Sequence, residues 1–349
     1  MNGPAQRTDG FVENTNSEGI SMYTTALLNA LCGELQAKIM CWGMSDRATV
    51  TLLTASENAT FLASDPMAQR KMVLRVHRPN YHTRAEIESE LKWIEAVRTS
   101  GAINTPSPIA AADGSYLVSI RALDQDFRVV AFQFVAGREP DVGESLPDWF
   151  ERLGAVTARL HQHSRQWNPP SWFVRKEWHL DTMIGEQGYW GDWKNSVGLE
   201  ASHEQAISDA VALINDRISE YGRGRDRYGL VHADLRLANL LVDGEQLSII
   251  DFDDCGFCWY AYDFAAAISF YELDPLVPEL RKAWVQGYRS IAEFSDADEE
   301  AISTFIMMRR IMLSAWLATH SETDTGKELG AGYIDGTASL ARDYVNGAF

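Results

Sequence analysis

Three oxygen-bearing side chains, Asp234, Asn239 and Asp251, are spaced so that they could together hold a metal ion. The segments LLV and LSII, between Asn239 and Asp251, have the apolar and β-branched character of strands. The Asp243-Gly244 pair between them is typical of a tight hairpin turn. Folding that hairpin brings Asn239 and Asp251 together at its open end. Carboxylate and amide oxygens suit Mg²⁺, which usually also binds substrate phosphates.

His232 and Asp234 lie just upstream, on the predicted loop that enters the first strand of this hairpin. A second carboxylate is therefore expected near its open end. The alternative is structural, because Asp and Asn side chains also accept hydrogen bonds from backbone N–H groups in turns. Either motif alone leaves both explanations open. The ordered pair, H-x-D-x₄-N followed by I-D-F across a strand-sized hairpin, favours a functional site.

The charge of the chain restricts its partners. Its 349 residues include 31 Lys and Arg against 49 Asp and Glu, which gives a formal net charge of −18. Such a surplus repels phosphate backbones and anionic lipid surfaces, so neither nucleic acid nor a membrane is an expected partner. A cationic small molecule would be attracted. The hydrophobic content of 46% is enough for a sizeable core and excludes a disordered chain.

Cysteine usage and the polar N-terminus predict a cytoplasmic protein. Four cysteines are too few for a disulfide scaffold, and residues 1–20 resemble a disordered leader rather than a secretory signal. No apolar run approaches the roughly 20 residues that span a bilayer. Cys255 and Cys258 form a C-G-F-C, but no second Cys or His pair has the spacing of a zinc site. We interpret them as buried thiols.

The elements that must position these residues fall into two parts. Residues 21–136 predict a small antiparallel sheet from strands near 48–55, 56–63, 71–78, 116–120 and 127–135. One helix interrupts them, with Thr83 and Glu86 as a capping box and an apolar face at Ile87, Leu91, Ile94 and Val97. Residues 137–349 are predicted to be mainly helical, apart from the strands and loops of 228–252.

The two motifs together resemble the catalytic loop and metal-binding aspartate of the aminoglycoside phosphotransferase/choline kinase family. The resemblance implies an α+β, bilobal protein-kinase-like fold, with a small N-terminal antiparallel β-sheet lobe and a larger, mostly helical C-terminal lobe. It also implies an ATP- and Mg²⁺-dependent kinase. In that reading Asp234 is the base that accepts the substrate hydroxyl proton, Asn239 and Asp251 hold Mg²⁺ on the ATP phosphates, and His232 supports the loop.

Further residues take roles from the same resemblance. Arg236 stands where protein kinases have Lys and many small-molecule kinases have His. It would either neutralise the transferring phosphoryl group or form an ordinary surface charge. Asp253 could add a second carboxylate near the metal. Asp263 resembles a family aspartate that braces the catalytic loop, which would make it structural.

A short polar turn, Ser56-Glu57-Asn58, separates two predicted strands. It is similar to the nucleotide-covering loop of the homoserine kinase type II-like branch, which has an S/G-x-E-N signature where protein kinases use glycines. Backbone amides at such a turn can cradle phosphate. The alternative is an ordinary hairpin turn that contains an Asn.

Arg75 lies on the third predicted strand, where the fold normally places a phosphate-binding Lys. Glu90 falls on the apolar face of the following helix, where a carboxylate is unfavourable unless paired, and Arg75 is its natural partner. The alternative is a surface Arg75 with Glu90 turned to solvent. The segment from Gln133 to Val135 falls where the family's hinge binds adenine through its backbone.

The acceptor is the least determined part of the site. The segment 167–193 is rich in Trp and Tyr, which indicates either an aromatic-walled pocket for a cationic acceptor or an insertion packed by aromatics. The leading hypothesis is transfer of the ATP γ-phosphate to a hydroxyl of a small amino-alcohol, homoserine-like or aminoglycoside-like molecule. A Ser/Thr protein kinase resembling bacterial stress-response kinases is one alternative. A nucleotide-binding pseudokinase, suggested by Arg75, is another, and the oligomeric state stays open.

Overall fold

The computed structural model describes residues 23–140, 145–321, 323–330 and 332–349. The predicted leader at residues 1–20 lies outside them. The described residues form a β-rich N-terminal part followed by a mostly helical C-terminal part, so the predicted α+β architecture is confirmed.

The N-terminal part is a six-stranded antiparallel sheet in the order β1-β2-β3-β6-β4, in which β5 also pairs with β6. Its strands and helices are α1 (Thr25–Lys38), β1 (Thr49–Ala55), β2 (Ala59–Asp65), β3 (Arg70–His77), α2 (Arg84–Ser100), β4 (Pro108–Ile109), β5 (Val118–Ala122) and β6 (Gln125–Gln133). The sequence did not predict α1, which packs against β1 and β5. Nor did it predict the two-residue strand β4.

Helix α2 begins as its sequence predicts. Glu86 N–H donates to Thr83 Oγ1 at 3.2 Å, and Thr83 N–H donates to Glu86 Oε2 at 2.7 Å. These reciprocal bonds satisfy two backbone donors that the first turn of a helix leaves free. The predicted apolar face is buried, and Glu90 is buried on the same side. The cap therefore fixes where α2 starts and which residues it turns towards the sheet.

The C-terminal part surrounds two small antiparallel strand pairs with helices. Its elements are α3 (Leu146–Gln166), α4 (Leu180–Ile184), α5 (Ala201–Tyr221), β7 (Tyr228–Val231), β8 (Leu240–Asp243), β9 (Gln246–Ile249), β10 (Gly256–Trp259), α6 (Tyr262–Ala267), α7 (Val277–Arg289), α8 (Asp296–Thr319), α9 (Asp324–Leu329) and α10 (Gly332–Val345). Strand β10, which pairs with β7, was not predicted. It contains Cys258, and burial raises the pKa of both this thiol and that of Cys255.

The predicted hairpin is formed by β8 and β9, with Leu240 opposite Ile249 and Asp243 opposite Gln246. Gly244 has a φ of 60°, the left-handed value that a tight hairpin turn requires. Beyond the paired strands, Ile250 N–H donates to the Asn239 carbonyl at 2.9 Å. This register places Asp251 one residue past the position opposite Asn239, at the open end of the hairpin.

Helix α8 forms the centre of the C-terminal part. By length and composition alone it is apolar enough to cross a membrane, but 83% of its apolar window is buried inside the fold. Burial of this kind is what the core helix of a globular domain shows, and it explains why apolar residues occur on every face of α8.

Two helices of this core touch backbone to backbone. A Cβ added at Gly287 of α7 would lie 1.8 Å from the Glu151 carbonyl oxygen, and one at Gly154 of α3 would lie 2.0 Å from the Trp284 carbonyl oxygen. No side chain fits at either position without separating α3 from α7. The two glycines therefore set the distance between these helices.

We expect Gly287→Ala to lower the melting temperature because the helices must move apart, at a cost of about 1–3 kcal/mol. Gly33→Ala is the matched control, since Gly33 lies in helix α1 with nothing within 4 Å of its added Cβ. Alanine there should leave stability unchanged or raise it. Thermal unfolding of both variants checks this, and equal melting temperatures would contradict the close α3–α7 contact.

Candidate active site

The loop that carries Asp234 is held from below by a buried aspartate. Asp263 of α6 accepts hydrogen bonds from the N–H groups of His232 at 3.3 Å and Ala233 at 2.8 Å. Ala233 has a φ of 66°, a value that side chains other than glycine rarely adopt, and these bonds stabilise it. The His161 Nε2 atom lies 3.0 Å from Asp263 Oδ2. Asp263 therefore braces the loop through its backbone, as the resemblance implied.

His232 joins this loop to the strand that precedes Asp251. Its side chain is buried, and its Nε2 atom lies 3.1 Å from the Ile250 carbonyl oxygen. Since a carbonyl only accepts, Nε2 carries the proton. Burial lowers the pKa of His232, although Asp263 and Asp234 oppose this effect. The neutral His232 side chain thus links the two motifs and supports the loop that carries Asp234.

The Asp234 carboxylate is held from two sides. Asn239 Nδ2 donates to Asp234 Oδ2 at 3.0 Å, and Arg309 Nη2 of α8 donates to Asp234 Oδ1 at 3.1 Å. Arg236 also folds towards it, with its Nε 3.2 Å from Oδ1. The Asp234 side chain is 18% exposed, so it can meet a substrate while most of its surface is enclosed by protein.

Asn239 and Asp251 have the donor atoms that a hard divalent cation needs. Asn239 uses its amide N–H group on Asp234, which leaves its Oδ1 atom for a metal. Asp251 is 48% exposed, and Arg75 Nη1 lies 3.5 Å from its Oδ1. Desolvation raises the pKa of Asp251, as do the carboxylates of Asp253 and Asp234, whereas Arg75 opposes the shift. A cation bound between these oxygens would relieve that excess of negative charge, so the residues fit Mg²⁺.

Arg75 and Glu90 form the ion pair that their positions predict. Arg75 Nη2 lies 2.6 Å from Glu90 Oε1, and the side chains are 8% and 0% exposed. Glu90 turned to solvent was the alternative, and it is wrong. The other nitrogen of the guanidinium faces Asp251, so Arg75 links helix α2 to the proposed metal ligand. Removing one partner of such a buried pair strongly destabilises the folded protein, because the other charge is left buried and unpaired.

Beneath Arg75 lies a set of buried groups that sequence reasoning missed. His77 Nδ1 lies 3.3 Å from Asp253 Oδ1, and His82 Nε2 lies 3.5 Å from Asp253 Oδ2. Burial alone would raise the pKa of Asp253, but the two histidines and Arg75 lower it well below its ordinary value. Asp253 is thus an ionised carboxylate under Arg75. Only their places near β3 could have indicated the histidines, since no motif includes them.

Within the Ser56-Glu57-Asn58 turn, the side chains of Glu57 and Asn58 are used by contacts inside the protein. Ser56 N–H donates to the Asn58 carbonyl at 3.1 Å, and the Asn58 Oδ1 atom accepts from Arg78 N–H at 3.1 Å. Glu57 forms an ion pair with Arg78 and accepts a hydrogen bond from Trp316 Nε1 of α8 at 2.8 Å. The turn between β1 and β2 therefore crosses to the C-terminal part through Glu57. Backbone amides, rather than the Glu57 and Asn58 side chains, are what it can offer a nucleotide.

The predicted hinge follows strand β6. Gln133 N–H donates to the Ser107 carbonyl at 2.8 Å, so this donor is already used by the sheet. Val135 lies after the strand, half-buried and outside regular secondary structure. Among the described residues its backbone N–H has no hydrogen-bond partner. Of Gln133 and Val135, Val135 is the one whose backbone N–H is free to bind adenine.

The aromatic segment 167–193 is divided between core packing and a cage around one of the protein's own cations. Trp178, Trp190 and Trp193 are buried. The Lys176 Nζ atom lies 3.1 Å from the ring centroid of Tyr81 and 5.1 Å from that of Tyr189. The cage that the composition suggested for a cationic acceptor therefore contains a lysine side chain, and burial lowers the pKa of Lys176 to about 8.

Trp190 connects this segment to Asp234 through Arg309. Its ring centroid lies 4.9 Å from Arg309 Cζ, and its Nε1 donates to Tyr81 Oη at 3.2 Å. Tyr81 in turn donates to Asp254 Oδ1 at 2.6 Å. Sequence reasoning missed Tyr81, Asp254 and Arg309. For Arg309 a signal existed, because an arginine inside a helix that is apolar on all faces must be paired with something.

Comparison with known proteins places the chain among phosphotransferases. The model of the phosphotransferase enzyme family matches residues 49–299. The solved structure of a microcompartment-associated aminopropanol kinase is 41% identical, covers 90% of this chain and 97% of its own, and superposes with a TM-score of 0.83.

Two amicoumacin kinases are more distant. The enzyme of Bacillus subtilis (strain 168) is 23% identical over 74% of this chain and 76% of its own length. The solved structure of hAmiN in complex with AMP-PNP, Ca²⁺ and Ami is 22% identical, covers 85% of this chain and 88% of its own, and has a TM-score of 0.69. At that identity the likeness of the solved structure shows the fold alone.

Proposed function

The chain belongs to the phosphotransferase enzyme family, and we propose that it transfers the γ-phosphate of ATP to the hydroxyl of a small amino alcohol with Mg²⁺ as its metal. It is a small-molecule kinase with an alcohol group as acceptor. The single observation that carries the choice of acceptor is the 41% identity to an aminopropanol kinase over nearly the whole of both chains. Homoserine-like and aminoglycoside-like molecules are the alternative acceptors to a small amino alcohol.

The chemistry assigned to the chain's own residues follows from their contacts. Asp234 accepts the proton of the acceptor hydroxyl as its oxygen attacks phosphorus, because its carboxylate is oriented by two donors and partly exposed. Asn239 Oδ1 and the Asp251 carboxylate would hold Mg²⁺, which supplies positive charge to the phosphate oxygens. Arg75 orients Asp251, and the amides of the β1–β2 turn and of Val135 bind the nucleotide.

Two other functions are not favoured. A protein kinase finds no support in the relatives described above, all of which are kinases of small molecules. A pseudokinase was suggested by Arg75 in place of Lys. Yet Arg75 makes the buried ion pair with Glu90 that the fold uses at this position, so the substitution preserves the arrangement.

The free thiols at all four cysteines agree with the cytoplasmic location that we propose.

A panel of acceptors tests the proposal. Purified full-length protein would be incubated with Mg-ATP and a 1-amino-2-alkanol, ethanolamine, choline, homoserine, an aminoglycoside or a basic protein. ADP release and the mass of the product would be measured, with the Asp234→Asn protein as the blank. We expect the short amino alcohols to give the highest kcat/KM. Turnover of the basic protein above all small acceptors would overturn the proposal.

A further inference from the structure

The proposed base has a partner on α8 that belongs to neither sequence motif. Arg309 is 3% exposed, and each of its three guanidinium nitrogens donates at least one hydrogen bond, with a second, longer one from Nη1 to the Ala233 carbonyl at 3.5 Å. Nε donates to Ser269 Oγ at 3.0 Å, Nη1 donates to Tyr262 Oη at 2.7 Å, and Nη2 donates to Asp234 Oδ1 at 3.1 Å. A planar fork with all three nitrogens bound has one orientation, so the atom that Asp234 meets is fixed.

The charge of Arg309 is balanced by the base itself. Ser269 and Tyr262 are neutral, and within the described part of the chain Asp234 is the carboxylate that lies within 4 Å of this guanidinium. A buried cation with a single counter-ion holds that counter-ion strongly, since either charge left alone in the interior is unfavourable. Arg309 therefore keeps the Asp234 carboxylate turned towards α8.

The two oxygens of Asp234 are held by different elements. Asn239, on the catalytic loop, holds Oδ2, whereas Arg309, on the core helix α8, holds Oδ1. Arg236 is the third donor, but its side chain is 36% exposed and so less constrained. Trp190 covers the Arg309 guanidinium at 4.9 Å and excludes water from that side. The carboxylate plane is thus fixed by one loop contact and one helix contact.

We propose that Arg309 is a positioning residue of the transfer reaction, which acts by fixing the Asp234 carboxylate in the orientation that meets the acceptor hydroxyl. Small errors in the placement of a reacting group lower rates steeply, even when the substrates still bind. This inference rests on the proposed function, because it takes Asp234 as the base. It predicts a loss in kcat rather than in nucleotide affinity.

The next residue supplies a matched control. Arg310 is also 3% exposed and lies in the same helix, but its guanidinium pairs with Glu272 at 2.7 Å and contacts Thr337 and Tyr333 instead. Its removal perturbs the core by a similar change, without touching the base. A merely structural role for Arg309 would make the two substitutions alike in kinetics as well as in stability.

We would compare Arg309→Met and Arg309→Lys with Arg310→Met and Arg310→Lys in the full-length protein. Arg309→Met should lower kcat about 10²-fold, with the KM for ATP nearly unchanged, and Arg309→Lys should recover part of the loss. The Arg310 variants should lose thermal stability but keep kcat within about twofold. Equal kcat losses in the two methionine variants would overturn the proposal.

A double-mutant cycle covers the case in which Arg309→Met folds poorly. If Arg309 acts through Asp234, Arg309→Lys in an Asp234→Asn background should reduce the residual kcat no further. A full additional loss there would also overturn the proposal. These kinetics use whichever compound of the acceptor panel the wild-type protein phosphorylates. If it phosphorylates none of them, the proposed function is rejected, and ATP hydrolysis is measured instead. In either assay the kcat of each variant relative to the wild-type protein tests the role of Arg309.

Discussion

Asp234→Asn is expected to lower kcat about 10³-fold while leaving the affinity for Mg-ATP within about threefold. The substitution keeps the size of the side chain and an acceptor oxygen for Arg309, but an amide cannot take the hydroxyl proton. The wild-type carboxylate is oriented by Asn239 and Arg309 from opposite sides, so the loss is one of chemistry rather than of binding. Steady-state transfer kinetics and nucleotide titration, measured separately, check the two parts.

Asp243→Asn is the control for that experiment. Asp243 lies at the exposed turn of the β8–β9 hairpin, a few residues after Asp234, and undergoes the same chemical change. It should retain wild-type kcat and melting temperature. If the two variants transferred phosphate at comparable rates, Asp234 would not be the base, whatever its contacts.

The sequence was sufficient wherever one local pattern decided the structure. The Thr83/Glu86 box sets the start of α2 through bonds three residues apart, and the Asp243-Gly244 pair sets the hairpin through one left-handed residue. From that hairpin the meeting of Asn239 and Asp251 follows by register. The pairing of Arg75 with Glu90 was also predictable, since a carboxylate on an apolar face needs a cation.

The residues that sequence reasoning missed come together through tertiary packing. Arg309 reaches Asp234 from a helix 75 residues away in sequence, and Trp316 reaches Glu57 across 259 residues. No periodicity or short motif encodes contacts at such separations, because they depend on how α8 crosses the C-terminal part. The aromatic segment shows the same limit: its composition is correct for a cage, but the position of Lys176 decides what the cage contains.

The net charge of −18 has a local counterpart at the site. Asp234 and Asp253 lie close enough to Asp251 to raise the pKa of its carboxyl, yet the site must receive a nucleotide that is itself an anion. Arg75, Arg236 and Arg309 each contact one or more of these carboxylates. They reduce the repulsion without removing it, so a divalent cation remains the group that makes phosphate binding favourable.

Asp251→Asn is therefore expected to weaken Mg²⁺-dependent ATP binding and to lower kcat/KM about 10²-fold or more. An amide retains one ligand oxygen but loses the charge that holds a divalent cation against competing water. In EDTA the variant and the wild-type protein should bind ATP alike, since neither then uses the metal. ATP titrations with Mg²⁺ and with EDTA give the comparison directly.

Asp124→Asn is the matched control, because Asp124 is fully exposed and has a φ of 63°, against 62° for Asp251. Asparagine tolerates this backbone conformation as well as aspartate does, so any backbone effect is the same in both variants.

The pH dependence of stability gives a second, independent test of the role of Asp251. Partial desolvation and the neighbouring carboxylates raise its pKa in the folded protein, so the folded state binds this proton more tightly than the unfolded state does. Without metal, this group therefore stabilises the folded protein at low pH, and the stabilisation is lost as the pH rises through the raised pKa. At pH 8, without metal, Asp251→Asn should melt no lower than the wild-type protein. A lower melting temperature there, with Mg-ATP binding intact, would show that Asp251 is a structural residue and not a metal ligand.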